Sequence, residues 1–139
     1  MILTVEETQD MPACFALRAA VFTAEQGIAA AIDVDGTDDE AVHFLARLDD
    51  MPVGTARYLV VGDIAKIGRV CVLRDHRGVG YGVALIRAAM AHAKTAGLTT
   101  VKLGAQESAI GFYERLGFEP EGDMFLDADI PHLMLKATL

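Results

Sequence analysis

No apolar run in this chain approaches the ~20 residues that a membrane-spanning helix needs, so no contact with a membrane is expected. The opening residues, MILTVEETQDMP, lack the basic region and apolar core of a secretory signal, and a cytoplasmic location is expected. Cysteine is scarce. Cys14 and Cys71 lie far apart without metal-ligand spacing, which points to reduced, buried thiols and to no bound metal. Basic residues are also few: 12 Lys and Arg stand against 20 Asp and Glu, a net charge of −8 that argues against a nucleic-acid surface. Repeats, low-complexity tracts and linkers are missing, so residues 1–139 are expected to form one domain.

What is present is organised around residues 67–97, which read as a strand, a glycine-rich turn and a long helix. The turn is Arg77-Gly78-Val79-Gly80-Tyr81-Gly82, with glycine at alternate positions. Val79, Val83, Ile86, Met90 and Ala93 follow at helical spacing, and Gly97 stops the helix. The first amides of a helix have no partner within it, and the macrodipole adds partial positive charge there. Glycines let an anion approach those amides without meeting a Cβ, so the junction is a candidate pyrophosphate site, with Arg74 and Arg77 adding charge. Residues 66–115 hold eight basic and three acidic residues against four and seventeen elsewhere, a basic patch within an acidic chain. A Walker-type nucleotide loop is excluded, because no lysine follows the glycines.

Elsewhere, Ile2–Val5 reads as a short strand, and Asp10 caps a helix with Pro12 in its first turn. That helix has an apolar face interrupted by Arg18 and by Glu25 and Gln26. Residues 29–40 form a loop with five carboxylates; Gly36 falls fourth from Asp33 and Phe44 twelfth, so it is no EF-hand. It reads either as a solvated acidic loop or as a surface that recruits a cationic amine. Strands at 42–48, 53–61 and 64–73 form an antiparallel meander, with a hairpin at Asp49–Pro52. A strand at 99–104, a helix at 107–116, part of a strand at 124–126 and a last strand at 133–137 complete an α/β chain with a mostly antiparallel sheet.

On these residues the chain resembles the GNAT superfamily of N-acetyltransferases. Arg77 to Gly82 matches that family's acyl-CoA turn, Gln/Arg-x-x-Gly-x-Gly/Ala, and Gln106 to Phe118 matches its second element, with Gln106 in place of the usual asparagine. Residues 17–26, 33–43 and 125–135 are similar to the ElaA/YjcF-like subgroup. The resemblance implies the acyl-CoA N-acyltransferase fold: six to seven strands, about four helices, and a gap where the fourth and fifth strands splay apart. It implies acetyl-CoA as donor, coenzyme A as product and a small-molecule or peptide amine as acceptor, and it allows for a homodimer. Backbone of Val70, Cys71 and Val72 would meet the pantetheine arm, and Arg77, Gly78, Val79, Gly80, Tyr81, Gly82 and Val83 the pyrophosphate. Gln106, Phe112 and Tyr113 would form a second wall.

Acyl transfer to an amine needs the neutral nucleophile. An alkylammonium with a pKa near ~10.4 costs about 4.6 kcal/mol to neutralise at pH 7, so a general base is expected. The family's strand glutamate is missing, because neither Arg69–Val72 nor Val101–Leu103 contains a carboxylate. Glu25 and His132 remain as candidates, with His43 behind them. Tyr113 is the expected acid for the leaving thiolate, and Cys71, a strand cysteine without a partner base, is not expected to be a nucleophile. The missing carboxylate leaves a non-catalytic acyl-CoA-binding sensor or partner module as the alternative.

Overall fold

The computed structural model describes all residues, Met1–Leu139. In chain order the elements are β1 (Leu3–Thr8), α1 (Met11–Arg18), α2 (Ala30–Asp33), β2 (Val42–Leu48), β3 (Met51–Val61), β4 (Ile64–Val72), α3 (Tyr81–Thr95), β5 (Thr100–Gln106), α4 (Ile110–Glu114), β6 (Glu119–Asp127) and β7 (Ile130–Thr138). α1 begins as its sequence predicts: the Asp10 carboxylate accepts from the Ala13 amide, and Pro12 occupies the first turn. It runs on as a wider, π-helical stretch through Ala19–Glu25. No helix is long and apolar enough to cross a membrane.

The seven strands form one sheet in the order β1-β2-β3-β4-β5-β7-β6. Every neighbouring pair is antiparallel except β4 and β5, which are parallel. The two hairpins that end in Asp49–Asp50 and Ala128–Asp129 have both turn residues at positive φ, the geometry that matches strand twist in two-residue turns. One face of the sheet is covered by α3, whose Leu85, Ile86, Ala89 and Ala93 are fully buried. The buried stripe differs from the expected one. Gly80, at φ +94°, holds the chain in a left-handed turn, so the helix starts at Tyr81 and Val79 stays outside it, 64% exposed. The opposite face packs under α1, around Cys14, Leu17, Val21, Leu45 and Cys71.

The fold's functional feature is where the parallel pair ends. β4 and β5 are in register only from Ile64/Thr100 to Ile67/Leu103, whereas β5 continues beside β7 as far as Gln106/His132. Beyond Leu103 the two strands part. The cause lies in β4: Arg69 sits at φ +53°, and the register with β3 shifts between Thr55 and Arg57. This bulge inserts a residue and reverses the inside–outside alternation. Ile67 belongs to the core beneath α3 and Val70 and Val72 pack against that same core, while Cys71 turns to the α1 face.

Candidate functional site

The glycine turn presents an open, amide-rich surface. Gly78 (φ +82°) and Gly80 (φ +94°) have nothing within 4 Å of where a Cβ would stand. Ala84 donates to the Gly80 carbonyl. The amides of Tyr81, Gly82 and Val83 therefore precede the helix's own bonding and are free for a ligand. Phe112 lies beside the turn, its ring 3.9 Å from a Cβ built on Gly82, and packs edge-on against Tyr113 at 5.0 Å between centroids.

Arg77 is not the free cation that its sequence position suggests. Its Nε donates to the Val72 carbonyl at 2.8 Å, and its two terminal nitrogens meet the two Glu25 oxygens at 2.6 and 2.7 Å. This pair lowers the Glu25 pKa, and Arg74 adds to the effect. Glu25 thus faces the glycine turn as a carboxylate in a bidentate ion pair, an arrangement that ill suits a proton acceptor.

The gap between β4 and β5 opens into a cavity of about 640 Å³, lined among others by Gly68, Val70, Ala105, Gln106, Tyr113 and His132. Glu25 and Cys71 do not line it. Tyr113 is buried, and burial pushes its phenol up to about 12. Its hydroxyl has no hydrogen-bond partner in the chain and is not sealed from solvent, so it opens onto the cavity. His132 sits opposite Gln106 on the neighbouring strand. Its Nδ1 is 2.7 Å from the Ile130 carbonyl. A carbonyl only accepts, so Nδ1 carries a hydrogen, and in the neutral ring Nε2 carries the lone pair. Nε2 makes no bond within the chain, and the ring is held against Phe125 at 5.8 Å and 28°. Gln106 donates to Gln26 at 2.9 Å, joining β5 to the end of the first helical segment.

The other histidine candidate is structural, since His43 is buried with Nε2 2.9 Å from the Asp38 carbonyl. Burial raises the Cys71 thiol to about 12, which keeps it protonated. Among the three strand residues expected to offer backbone groups, ladder alternation separates Cys71 from its neighbour. Leu73 donates to Val53, and Cys71 is level with Thr55, so the Cys71 peptide faces β3 while that of Val72 faces away.

Three of the acidic loop's five carboxylates are closed on arginines, while Asp39 and Glu40 stay exposed. Arg18, only 1% exposed, binds Asp33 at 3.1 Å and Asp38 at 2.8 Å. Arg57 binds Asp38 at 2.7 Å and Asp35 at 3.1 Å, and Arg69 binds Asp33 at 3.2 Å and Asp35 at 3.4 Å. Arg57 holds Asp35 far below the usual carboxylate range; for Asp38, burial opposes but Arg18 and Arg57 prevail, and the pKa is lowered. Sequence reasoning missed this network. Its visible trace was Arg18, placed between Leu17 and Val21 on an otherwise apolar face.

A mixed sheet splayed between parallel β4 and β5, with a glycine-rich turn opening the helix between them, is the acyl-CoA N-acyltransferase fold. The chain belongs to the Acetyltransferase (GNAT) family, whose model matches residues 11–118, and is an acetyltransferase of that family. It is 34% identical over 122 residues to the uncharacterized N-acetyltransferase YjcF of Bacillus subtilis, covering 87% of each chain. An acyl-CoA N-acyltransferase from Pseudomonas aeruginosa is 30% identical with a TM-score of 0.84, covering 97% of both chains. Escherichia coli ElaA is 28% identical with a TM-score of 0.86, covering 97% of this chain and 99% of its own.

Proposed function

We propose that the protein transfers the acetyl group of acetyl-CoA to a primary amine of a small molecule or peptide, by direct transfer in a ternary complex. The observation that carries this reading is the convergence of two unpartnered, chemically complementary groups, the Tyr113 hydroxyl and His132 Nε2, on one cavity at the β4–β5 gap. The residues fit the cofactor. The turn from Gly78 to Val83 offers unpaired amides on a surface with no side chain in the way, suited to a pyrophosphate. Val70 and Gln106 line the gap, and Val72 and Phe112 lie beside Gly82 of the turn. Acetyl-CoA, when bound, supplies an acyl group activated as a thioester.

The chain's own groups then manage protons. His132 Nε2 takes a proton from the acceptor ammonium, while its Nδ1–H stays fixed on the Ile130 carbonyl and keeps the ring oriented. Tyr113 remains protonated through the neutral range, donates to the departing sulfur and regains a proton from the attacking nitrogen as the amide forms. Cys71, a thiol held at about 12 and outside the cavity, takes no covalent part.

Thermal melting with and without acetyl-CoA, followed by thiol release against a panel of amines, tests the reading. Stabilisation together with amine-dependent thiol release is expected. Stabilisation without turnover on any amine would leave a binding module; no stabilisation of a folded sample would remove the acyl-CoA site itself.

A further inference from the structure

The charges lining the cavity are unequally satisfied. Of its carboxylates, Asp33 and Asp35 are closed by arginines, and only Asp127, beside the β6–β7 turn, has no basic partner. Of its cations, Arg57 has both terminal nitrogens bound to Asp35 or Asp38. Arg69 uses Nε and Nη2 on the loop, but its Nη1 has no partner in the chain and is open to solvent. Lys66 has no hydrogen bond and no acidic partner at all, although it lines the same cavity.

The sheet register sharpens the point. Lys66 on β4 is level with Lys102 on β5, and Lys102 is level with Lys136 on β7, a row of three ammonium groups on one face. Like charges side by side on neighbouring strands repel. Glu121 relieves two of them, at 2.7 Å from Lys102 and 3.2 Å from Lys136, and leaves Lys66 unrelieved. The result is an anion-seeking end of the cavity, at Lys66 and Arg69, across from an end that holds His132 and the free Asp127.

We propose that the acceptor carries a carboxylate as well as its amine: Lys66 and Arg69 Nη1 hold the carboxylate, and the amine lies toward His132 and Asp127. This rests on the acetyltransferase reading of the same cavity and narrows its substrate to a free amino acid, an ω-amino acid or a short peptide. Lys66 and His132 are two strands apart and four residues displaced along β7. A strand spacing of about 4.8 Å and a rise of about 3.3 Å per residue put their Cα atoms roughly 16 Å apart. Less the reach of two side chains, that span suits a molecule of amino-acid or dipeptide size.

The test uses β-alanine, 5-aminopentanoate, lysine and glycylglycine, each beside its carboxamide, with cadaverine and O-phosphoethanolamine as controls. Thiol release from acetyl-CoA and the thermal shift of the CoA-loaded protein are both read. At least one carboxylate should exceed its carboxamide in kcat/KM by about tenfold or more, the worth of a charge-assisted hydrogen bond. Lys66→Met should erase that preference, and Lys66→Glu should turn it toward cadaverine. Equal rates for acid and amide, a wild-type preference for cadaverine, or a preference for the phosphate compound over every carboxylate would overturn the inference while leaving the acetyltransferase reading intact. If no amine of either kind is acetylated, that reading fails. The thermal shift then reads the carboxylate site alone: larger shifts with the carboxylates than with their carboxamides uphold carboxylate capture at Lys66 and Arg69, and equal shifts overturn it.

Discussion

His132 gets its chemical usefulness from a neighbour two residues away. With Nδ1–H anchored on the Ile130 carbonyl, the ring has one available tautomer and one open nitrogen. His132→Gln should lower kcat by about a hundredfold or more, the usual weight of a positioned general base. It should leave acetyl-CoA-dependent stabilisation intact. Glu25→Gln should keep most of kcat, and steady-state rates of the two variants beside their thermal shifts check both. Tyr113→Phe should reduce kcat by about a hundredfold with cofactor binding unchanged in a calorimetric titration. An unchanged rate would remove the acid role. The position of Tyr113 on the cavity was legible, because the motif around it is local. The ion pair that occupies Glu25 was not, since it depends on Arg77, 52 residues away in sequence.

At the scale of elements, the turn and the gap have different origins. The turn is local chemistry: glycines at positive φ followed by a helix, visible in the sequence apart from the two-residue error that placed Val79 inside α3. The gap depends on the bulge at Arg69, which nothing within β4 announces, because it arises from how β4 registers against β3. Gly82 offers the cleanest probe of the turn. It does not sit at positive φ, and a Cβ there would meet only Phe112 and Val72 at 3.9 and 4.0 Å. Gly82→Glu places a negative charge in the first turn of α3, where it should preserve or slightly raise the melting temperature of the free protein. The same charge should repel a pyrophosphate and abolish the stabilisation by acetyl-CoA. Full stabilisation of this variant would place the pyrophosphate elsewhere.

For the whole molecule, the arginine–aspartate network ties together α1, the acidic loop, β3 and β4, and so holds one side of the cavity. Composition gave no warning of it, because a net charge of −8 says nothing about which carboxylates meet which arginines across 15 to 36 residues of chain. Removing one partner leaves buried charge uncompensated, so Asp38→Asn should cost about 3–5 kcal/mol and lower the melting temperature by on the order of 10 °C. The network also sets a pH dependence. Asp35 and Asp38 have folded pKa values below their unfolded ones, so their contribution is complete above the unfolded carboxylate value near ~3.9. It is lost as pH falls through the folded values, and melting temperature should therefore decline on acidification below about pH 4. In the proposed mechanism an amine attacks the thioester directly, with no acyl-enzyme, in a cavity bounded by Tyr113 and His132. Initial velocities with acetyl-CoA and a turned-over amine varied together distinguish this from a covalent route. Intersecting double-reciprocal lines are predicted; parallel lines, the mark of a covalent acyl-enzyme, would contradict it.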